Sequence, residues 1–499
     1  MITDLFSHKI HSSGNEWADK VVELASVFNE FDGELYNRKD IENKLLSISP
    51  RAAFAPRDAS KFRDEISAYP AYLGLYHLLP SAKGWRIFIS KTTKAFLLKE
   101  EPDVGSFMRL QMALFQYPNG MGVAYKSGTN KVRIQANARK RTLELLKDKI
   151  HLSPLRMIIQ SLVADAEIRS MSIFDSHVTF EEVFLLSNNN KVNRSALPDR
   201  DEIKKALKNY RKTNIRFKSH YERRFHILNH TEMFSITNGG ISFRKPCNSI
   251  DEKDLAEKIF SILKINSQFS GFDNAKNGND IENEIITGAW AKYFDGINTI
   301  SADLISVLAA DIVSIPSDKL KIPKDEISSE VKTYSLTDRK EYSIPRQEYT
   351  RKSEFADPEI TRIKKQRRNL AHKLLLDKMS SYLIKLGAEP KENPHIDLYA
   401  EIPSDGAYLF EVKSGGENLL DQIRKGISQL YEYRFRYKDI IRRDTTLCLV
   451  VPDDPDAIPW LHEYICVDRN ICMCWFDKEE KIIFPNECKD KMEAISIIG

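Results

Sequence analysis

Cysteine is scarce: there are six in 499 residues, at Cys247, Cys448, Cys466, Cys472, Cys474 and Cys488. That is too few for a disulfide scaffold. No disulfide is expected, and a reducing cytoplasmic setting is the default. Long apolar runs are missing too. None approaches the ~20 residues of a bilayer-spanning helix, so no membrane partner is expected. The N-terminus, MITDLFSHKIHSSGNEWADK, lacks the charged-then-apolar order of a secretion signal. Charge of one sign is not in excess: 75 Lys+Arg against 71 Asp+Glu leaves +4. This balance excludes a chain that coats nucleic acid over its whole surface. A polyanion site would have to come from local clustering. No internal repeat occurs at solenoid or propeller periods.

What is present is ordinary for a folded chain. The hydrophobic fraction is 42% and the charged fraction 29%, which excludes wholesale disorder. The length predicts two to four domains. The C-x-C of Cys472 and Cys474 sits in a strand-like segment, with both thiols on one face. A structural zinc site needs a second matching pair. The sequence offers none, so buried free thiols are expected.

Composition divides the chain into four stretches. Residues 1–151 mix helical patterns, such as 62–79 and the amphipathic 104–120, with short strands such as 85–90. Residues 152–250 read as three helices, at 152–168, 178–186 and 199–212, and then two strands over 225–245 around Asn238-Gly239-Gly240. Thr179 is the expected N-cap of the second helix. Three helices followed by a hairpin is the element order of a winged helix. Residues 251–355 read as a helical connector, with a polar, proline-bearing linker from about 316 to 360. Residues 356–499 read as helix (360–387), strand (395–402), turn, strand (407–414), helix (419–439), strand (445–452), short helix (457–465) and closing strand (471–476). The expected class is therefore multidomain: α+β, winged-helix-like and helix-rich in front, with an α/β domain at the end.

That last stretch carries the chemistry. Asp397 lies on its first strand, and Glu411 and Lys413 lie two apart on the second, hence on one face. A tight turn lets Asp397 approach Glu411. Adjacent carboxylates repel unless a cation lies between them. Mg²⁺ takes oxygen ligands and keeps several waters, so two carboxylates with open positions suit it. A neighbouring lysine can orient a water or offset phosphate charge.

Asp397 … Glu411-Val412-Lys413, with Pro394 displaced ahead of it and Gln429-x-x-x-Tyr433 in the next helix, resembles the PD-(D/E)XK nuclease superfamily in its RecB-like branch. The likeness covers about the last 140 residues. It implies a restriction-endonuclease-like fold and a Mg²⁺ cofactor, with Mn²⁺ able to substitute. Asp397 and Glu411 would bind the metal with help from the Val412 carbonyl. Lys413 would position water, Gln429 and Tyr433 would orient a phosphate, and His372 would be accessory.

Basic residues gather in runs. Residues 204–224 hold nine Lys/Arg and one acid, among them Lys204, Lys205, Lys208, Arg211, Lys212, Arg216 and Lys218, with aromatics interleaved. Residues 131–141 hold Lys131, Arg133, Arg139, Lys140 and Arg141 and no acid, and residues 361–373 hold six basic residues and no acid. Such clusters suit phosphate contact. Two front units ahead of a nuclease resemble type IIS restriction endonucleases, notably the BpuJI type. The expected function is a Mg²⁺-dependent endonuclease acting on double-stranded DNA in restriction or phage defence. It would be a monomer whose nuclease domains pair transiently on DNA, and a cognate methyltransferase is a conceivable partner. The alternatives are a structure-specific repair or recombination nuclease and a non-catalytic winged-helix DNA-binding protein.

Overall fold

Local caps and turns set the element boundaries. The computed structural model describes residues 17–48, 62–99, 101–118, 123–125, 132–134, 136–213, 225–237, 239–246, 248–309, 334–339, 369–403, 406–414, 419–455, 458–477 and 479–495. The chain divides near residue 314 into two units. The first begins with helices α1 (Trp17–Asn29), α2 (Arg38–Ile48) and α3 (Arg63–Leu73). The spacing over 62–79 predicts one helix, but α3 stops at Leu73. Gly74 is left-handed there (φ 64°) and donates its N–H to the Pro70 carbonyl, a helix end that glycine adopts without strain. The remainder becomes strand β1 (Tyr76–Ser81), antiparallel to β2 (Gly84–Ile89). Helices α4 (Lys91–Phe96) and α5 (Val104–Leu114) follow. The expectation for α5 was an amphipathic helix, yet every one of its residues is buried. Its polar members are bonded inside: Arg109 donates from Nε to the Leu308 carbonyl (2.6 Å) and from Nη2 to Ser106 Oγ (2.9 Å).

Strands β3 (Val123–Tyr125) and β4 (Val132–Ile134) lead to α6 (Ala136–Lys147). Next come α7 (Pro154–Arg169), β5 (Val178–Thr179), α8 (Phe180–Ser187) and α9 (Arg200–Thr213). Thr179 and Glu182 cap α8 reciprocally, satisfying two backbone donors. Strands β6 (Phe234–Thr237) and β7 (Gly240–Phe243) form the expected hairpin, and β5 adds a third strand in the order β5-β7-β6. His226–Thr231, expected as strand, is a 3-10 helix. Helices α10 (Ser249–Lys264), α11 (Gly278–Ile286), α12 (Ala289–Tyr293), α13 (Gly296–Thr299) and α14 (Ala302–Leu308) complete the unit.

The second unit is a mixed seven-stranded sheet in the order β14-β13-β12-β11-β10-β9-β8. Its elements are β8 (Thr337–Asp338), α15 (Leu370–Lys385), β9 (Lys391–Glu392), β10 (Leu398–Glu401), β11 (Ala407–Val412), α16 (Leu419–Arg436), β12 (Thr446–Val450), β13 (Cys472–Phe476) and β14 (Ile482–Ile483). Strands β11, β12 and β13 run parallel, and the other pairings are antiparallel. Two expectations change. Most of the expected linker lies outside the described residues, but its residues 334–339 supply edge strand β8. And β13 does not close the sheet, because β14 pairs beyond it. Among the described residues the cysteines are free and buried; Cys247 lies outside them. No helix among the described residues is long and apolar enough to cross a membrane.

One buried charge ties α7 to α9. Asp165 accepts from the His177 amide (2.9 Å), from Arg169 Nε (3.0 Å) and from Arg211 Nη1 (2.7 Å). Burial pushes its carboxyl up, but hydrogen bonds from Arg169, the His177 amide and Arg211, with the nearby Arg211 charge, outweigh that. They hold it below the ordinary aspartate value. A depressed carboxyl contributes stability that is present above its unfolded pKa and lost as pH falls through the folded one. Asp165→Asn is therefore expected to cost about 2 kcal/mol near neutrality. The gap between native and variant should narrow as pH drops below 3.8, measured by denaturant unfolding at a series of pH values.

Candidate active site

The β10–β11 pairing builds the site. Its register sets Leu398 opposite Phe410. One step further puts Asp397 across from Glu411, as the sequence predicts. Asp397 Oδ2 accepts from the Val412 amide at 3.0 Å, which fixes the carboxylate against the neighbouring strand. Lys413 continues β11, with its amide bonded to the Val450 carbonyl of β12 at 2.8 Å. Its ammonium donates to Glu411 Oε1 (2.7 Å) and to Gln429 Oε1 on α16 (2.9 Å). Gln429 Nε2 in turn donates to Tyr433 OH at 3.1 Å. From α15, His372 Nε2 lies 3.7 Å from Asp397 Oδ1. Both of its ring nitrogens are buried without a hydrogen-bond partner.

The structure thus brings together all six side chains named from the sequence. Every one is buried: His372 is 1% exposed, Asp397 4%, Glu411 2%, Lys413 1%, Gln429 7% and Tyr433 1%. Gln429 accepts from Lys413 through Oε1 and donates through Nε2 to the Tyr433 hydroxyl. In this geometry they hold the lysine.

The donor set suits a hard cation. Two carboxylates and one ammonium leave a buried net charge of about −1, which is costly without compensation. Carboxylate oxygens are donors that Mg²⁺ prefers, and it completes its shell with water. Among the described residues no three His, Cys, Asp or Glu side chains gather as a metal-binding group.

Sequence reasoning passed over Gly426, an isolated glycine inside a helical pattern, which often marks a packing constraint. A Cβ at that position of α16 would lie 2.6 Å from Leu449 Cδ1 and 3.0 Å from Lys413 Cε. The missing side chain lets α16 sit directly on the lysine. It also gave no role to Asn393, the residue before Pro394. There Asn393 Oδ1 accepts from the His395 and Ile396 amides (2.9 and 2.7 Å) and sets the chain's entry to Asp397.

The expected DNA-binding residues are placed less uniformly. Lys204, Lys205, Lys208, Arg211 and Lys212 lie on α9. Lys204 pairs with Glu167 and Asp201, Lys205 with Glu202 (2.7 Å), and Arg211 with Asp165 and Glu182 (both 2.7 Å). These acids stand outside the basic run, so the nine-to-one ratio of the sequence is not the charge ratio in space. Lys208 and Lys212 are exposed. Arg216 and Lys218 lie outside the described residues, as does Lys131. Arg133 is on β4, and Arg139, Lys140 and Arg141 are on α6, where Lys140 is exposed. No family model matches the chain, and no curated protein matches it.

The close contact at Gly426 has a measurable consequence. Gly426→Ala gains up to about 1 kcal/mol of helix propensity, but overpacking typically costs about 1–3 kcal/mol. A net loss of about 1 kcal/mol is expected in denaturant unfolding. A more stable variant would mean that the helix can shift away from Lys413 freely.

Proposed function

We propose that the protein is a Mg²⁺-dependent DNA endonuclease whose catalytic residues lie in the second unit, with Mn²⁺ able to replace Mg²⁺. One observation carries the reading: Asp397, just before β10, accepts from the Val412 amide beside Glu411, and Lys413 is bonded between Glu411 and Gln429, all of them buried. Burying two acids and an amine side by side is costly. A packed apolar sheet has no structural need of them. A phosphodiesterase does need them, because it must bind a cation, a water and a phosphate in one place.

In this reading Asp397 and Glu411 hold the metal with the Val412 carbonyl. When bound, Mg²⁺ supplies Lewis acidity to the phosphate and acidifies a water. Lys413 holds the attacking water through an N–H not used by Glu411 or Gln429, and its charge offsets that building on the phosphate. Gln429 fixes the ammonium, and Tyr433 fixes Gln429. His372 stands beside Asp397 Oδ1, where a ring N–H can orient the carboxylate. The first unit would bind duplex DNA as winged-helix-like modules. The exposed Lys208, Lys212 and Lys140 are its best-supported phosphate contacts. Restriction or phage defence, with recognition separate from cleavage, is the role proposed.

Purified protein incubated with plasmids and Mg²⁺ should cut, and chelation should stop it. Asp397→Asn, Glu411→Gln and Lys413→Met should each lower the rate by at least about a hundredfold while DNA binding in a gel-shift assay persists. Cutting at the native rate by these variants would sink the assignment. Mapped ends at a fixed distance from one short sequence would support the restriction role, whereas preference for branched DNA would point to repair.

A further inference from the structure

The catalytic lysine is held by a chain of contacts that extends beyond Gln429 and Tyr433. The ring of Tyr433 stacks on His395, with centroids 5.6 Å apart and planes 18° from parallel. His395 is 2% exposed, and three neighbours grip it. Its Nδ1 lies 2.6 Å from Tyr437 OH, one helical turn beyond Tyr433. Its Nε2 lies 3.5 Å from Arg436 Nη1. Its ring meets Tyr334 edge-on, with centroids 5.1 Å apart. Tyr334 belongs to the segment leading into β8 and is tied at both ends: its amide donates to Tyr437 OH (3.4 Å), and its carbonyl accepts from Asn393 Nδ2 (3.3 Å). Asn393 also fixes the backbone of His395 and Ile396, immediately before Asp397.

We infer that His395, clamped by Tyr334 and Tyr437, is a positioning residue that sets Tyr433, and through Gln429 the ammonium of Lys413, while the same turn sets Asp397. This deepens the nuclease reading and rests on it. The geometry favours a prop over a reacting group, since every edge of the imidazole faces a protein side chain. The flat ring carries the function: it is the surface on which Tyr433 rests. Losing it would let the Tyr433 hydroxyl, and then Gln429, drift. Small misplacements of a catalytic group cost rate more than affinity. The edge segment at 334–339, read from sequence as linker, thereby becomes part of the support of the site.

The test compares His395→Ala, His395→Phe and Tyr437→Phe in the full chain by two readouts. The first is plasmid cleavage with Mg²⁺, resolved into kcat and KM. The second is the rate of Lys413 acetylation by acetic anhydride, followed by mass spectrometry, with the buried Lys258 as internal control. His395→Ala is expected to lower kcat by on the order of tenfold to a hundredfold with KM nearly constant, and to speed Lys413 labelling several-fold while Lys258 is unchanged. His395→Phe keeps a flat ring and should restore most of both. Tyr437→Phe should give a smaller loss in the same direction, and it decides the matter if His395→Ala does not fold. Native kcat and native labelling in His395→Ala would overturn the inference, as would a His395→Phe no better than His395→Ala. If the native protein cuts no DNA, the nuclease reading fails alone; the labelling of Lys413 still decides whether His395 positions it.

Discussion

An ammonium group buried at the end of a central strand governs how the second unit is built. Lys413 is 1% exposed, so its charge must be met by protein atoms at short range. Glu411 and Gln429 meet it, and each imposes a further condition. Glu411 is two residues back on the same strand, which costs no additional chain. Gln429 comes from α16, and that helix can approach only because residue 426 has no side chain. The parallel pairing of β11 with β12 holds Lys413 in line through its amide. Strand order, helix seating and one glycine are therefore linked through a single positive charge.

Much of this was legible in the sequence. The alternation in 395–402 and 407–414 separated by a turn gave the hairpin, and period-two geometry put Glu411 and Lys413 on one face. The register was not legible: Asp397 lies six residues before Pro403 and Glu411 five after Gly406, and the observed pairing of Glu401 with Ala407 sets it instead. The depth of burial was not legible. The apolar Tyr408, Phe410 and Val412 on the other face argued for a cleft rather than open water, but not for Glu411 and Lys413 being almost fully buried under α16. The prop behind Tyr433 was hidden for a related reason. Tyr334 is about 60 residues from His395, and no local pattern announces a ring contact at that separation.

The first unit shows the opposite failure. The basic run 204–224 looked like an uncompensated cationic face because the acids that pair with it lie outside the run. Glu167, Asp165 and Glu182 come from α7 and α8 and neutralise Lys204 and Arg211. Charge counted along a chain measures the potential at a surface only where neighbours in space are neighbours in sequence, as on one exposed helix face. Helix periodicity had the same limit at α5. Its pattern reads as one apolar stripe, but neighbours on all sides bury the polar stripe too, and Arg109 survives there by bonding carbonyls and a hydroxyl.

The charge balance of the candidate site bears on its chemistry. Asp397, Glu411 and Lys413 sum to about −1, and a phosphodiester brings another −1. In the proposed nuclease reading, repulsion at a few ångströms among buried groups would exclude such a substrate. A divalent cation reverses the sign and makes the filled site neutral: −1, +2 and −1. The same sum explains why the lysine has to be held rigidly. An ammonium free to swing could neutralise either carboxylate in turn and displace the cation. Bonded to Glu411 Oε1 and Gln429 Oε1, it leaves Asp397 Oδ1 facing His372. The relay through Gln429, Tyr433 and His395 thus does more than orient one donor. In the proposed reading it would also keep the chain's own cation from competing with the divalent one.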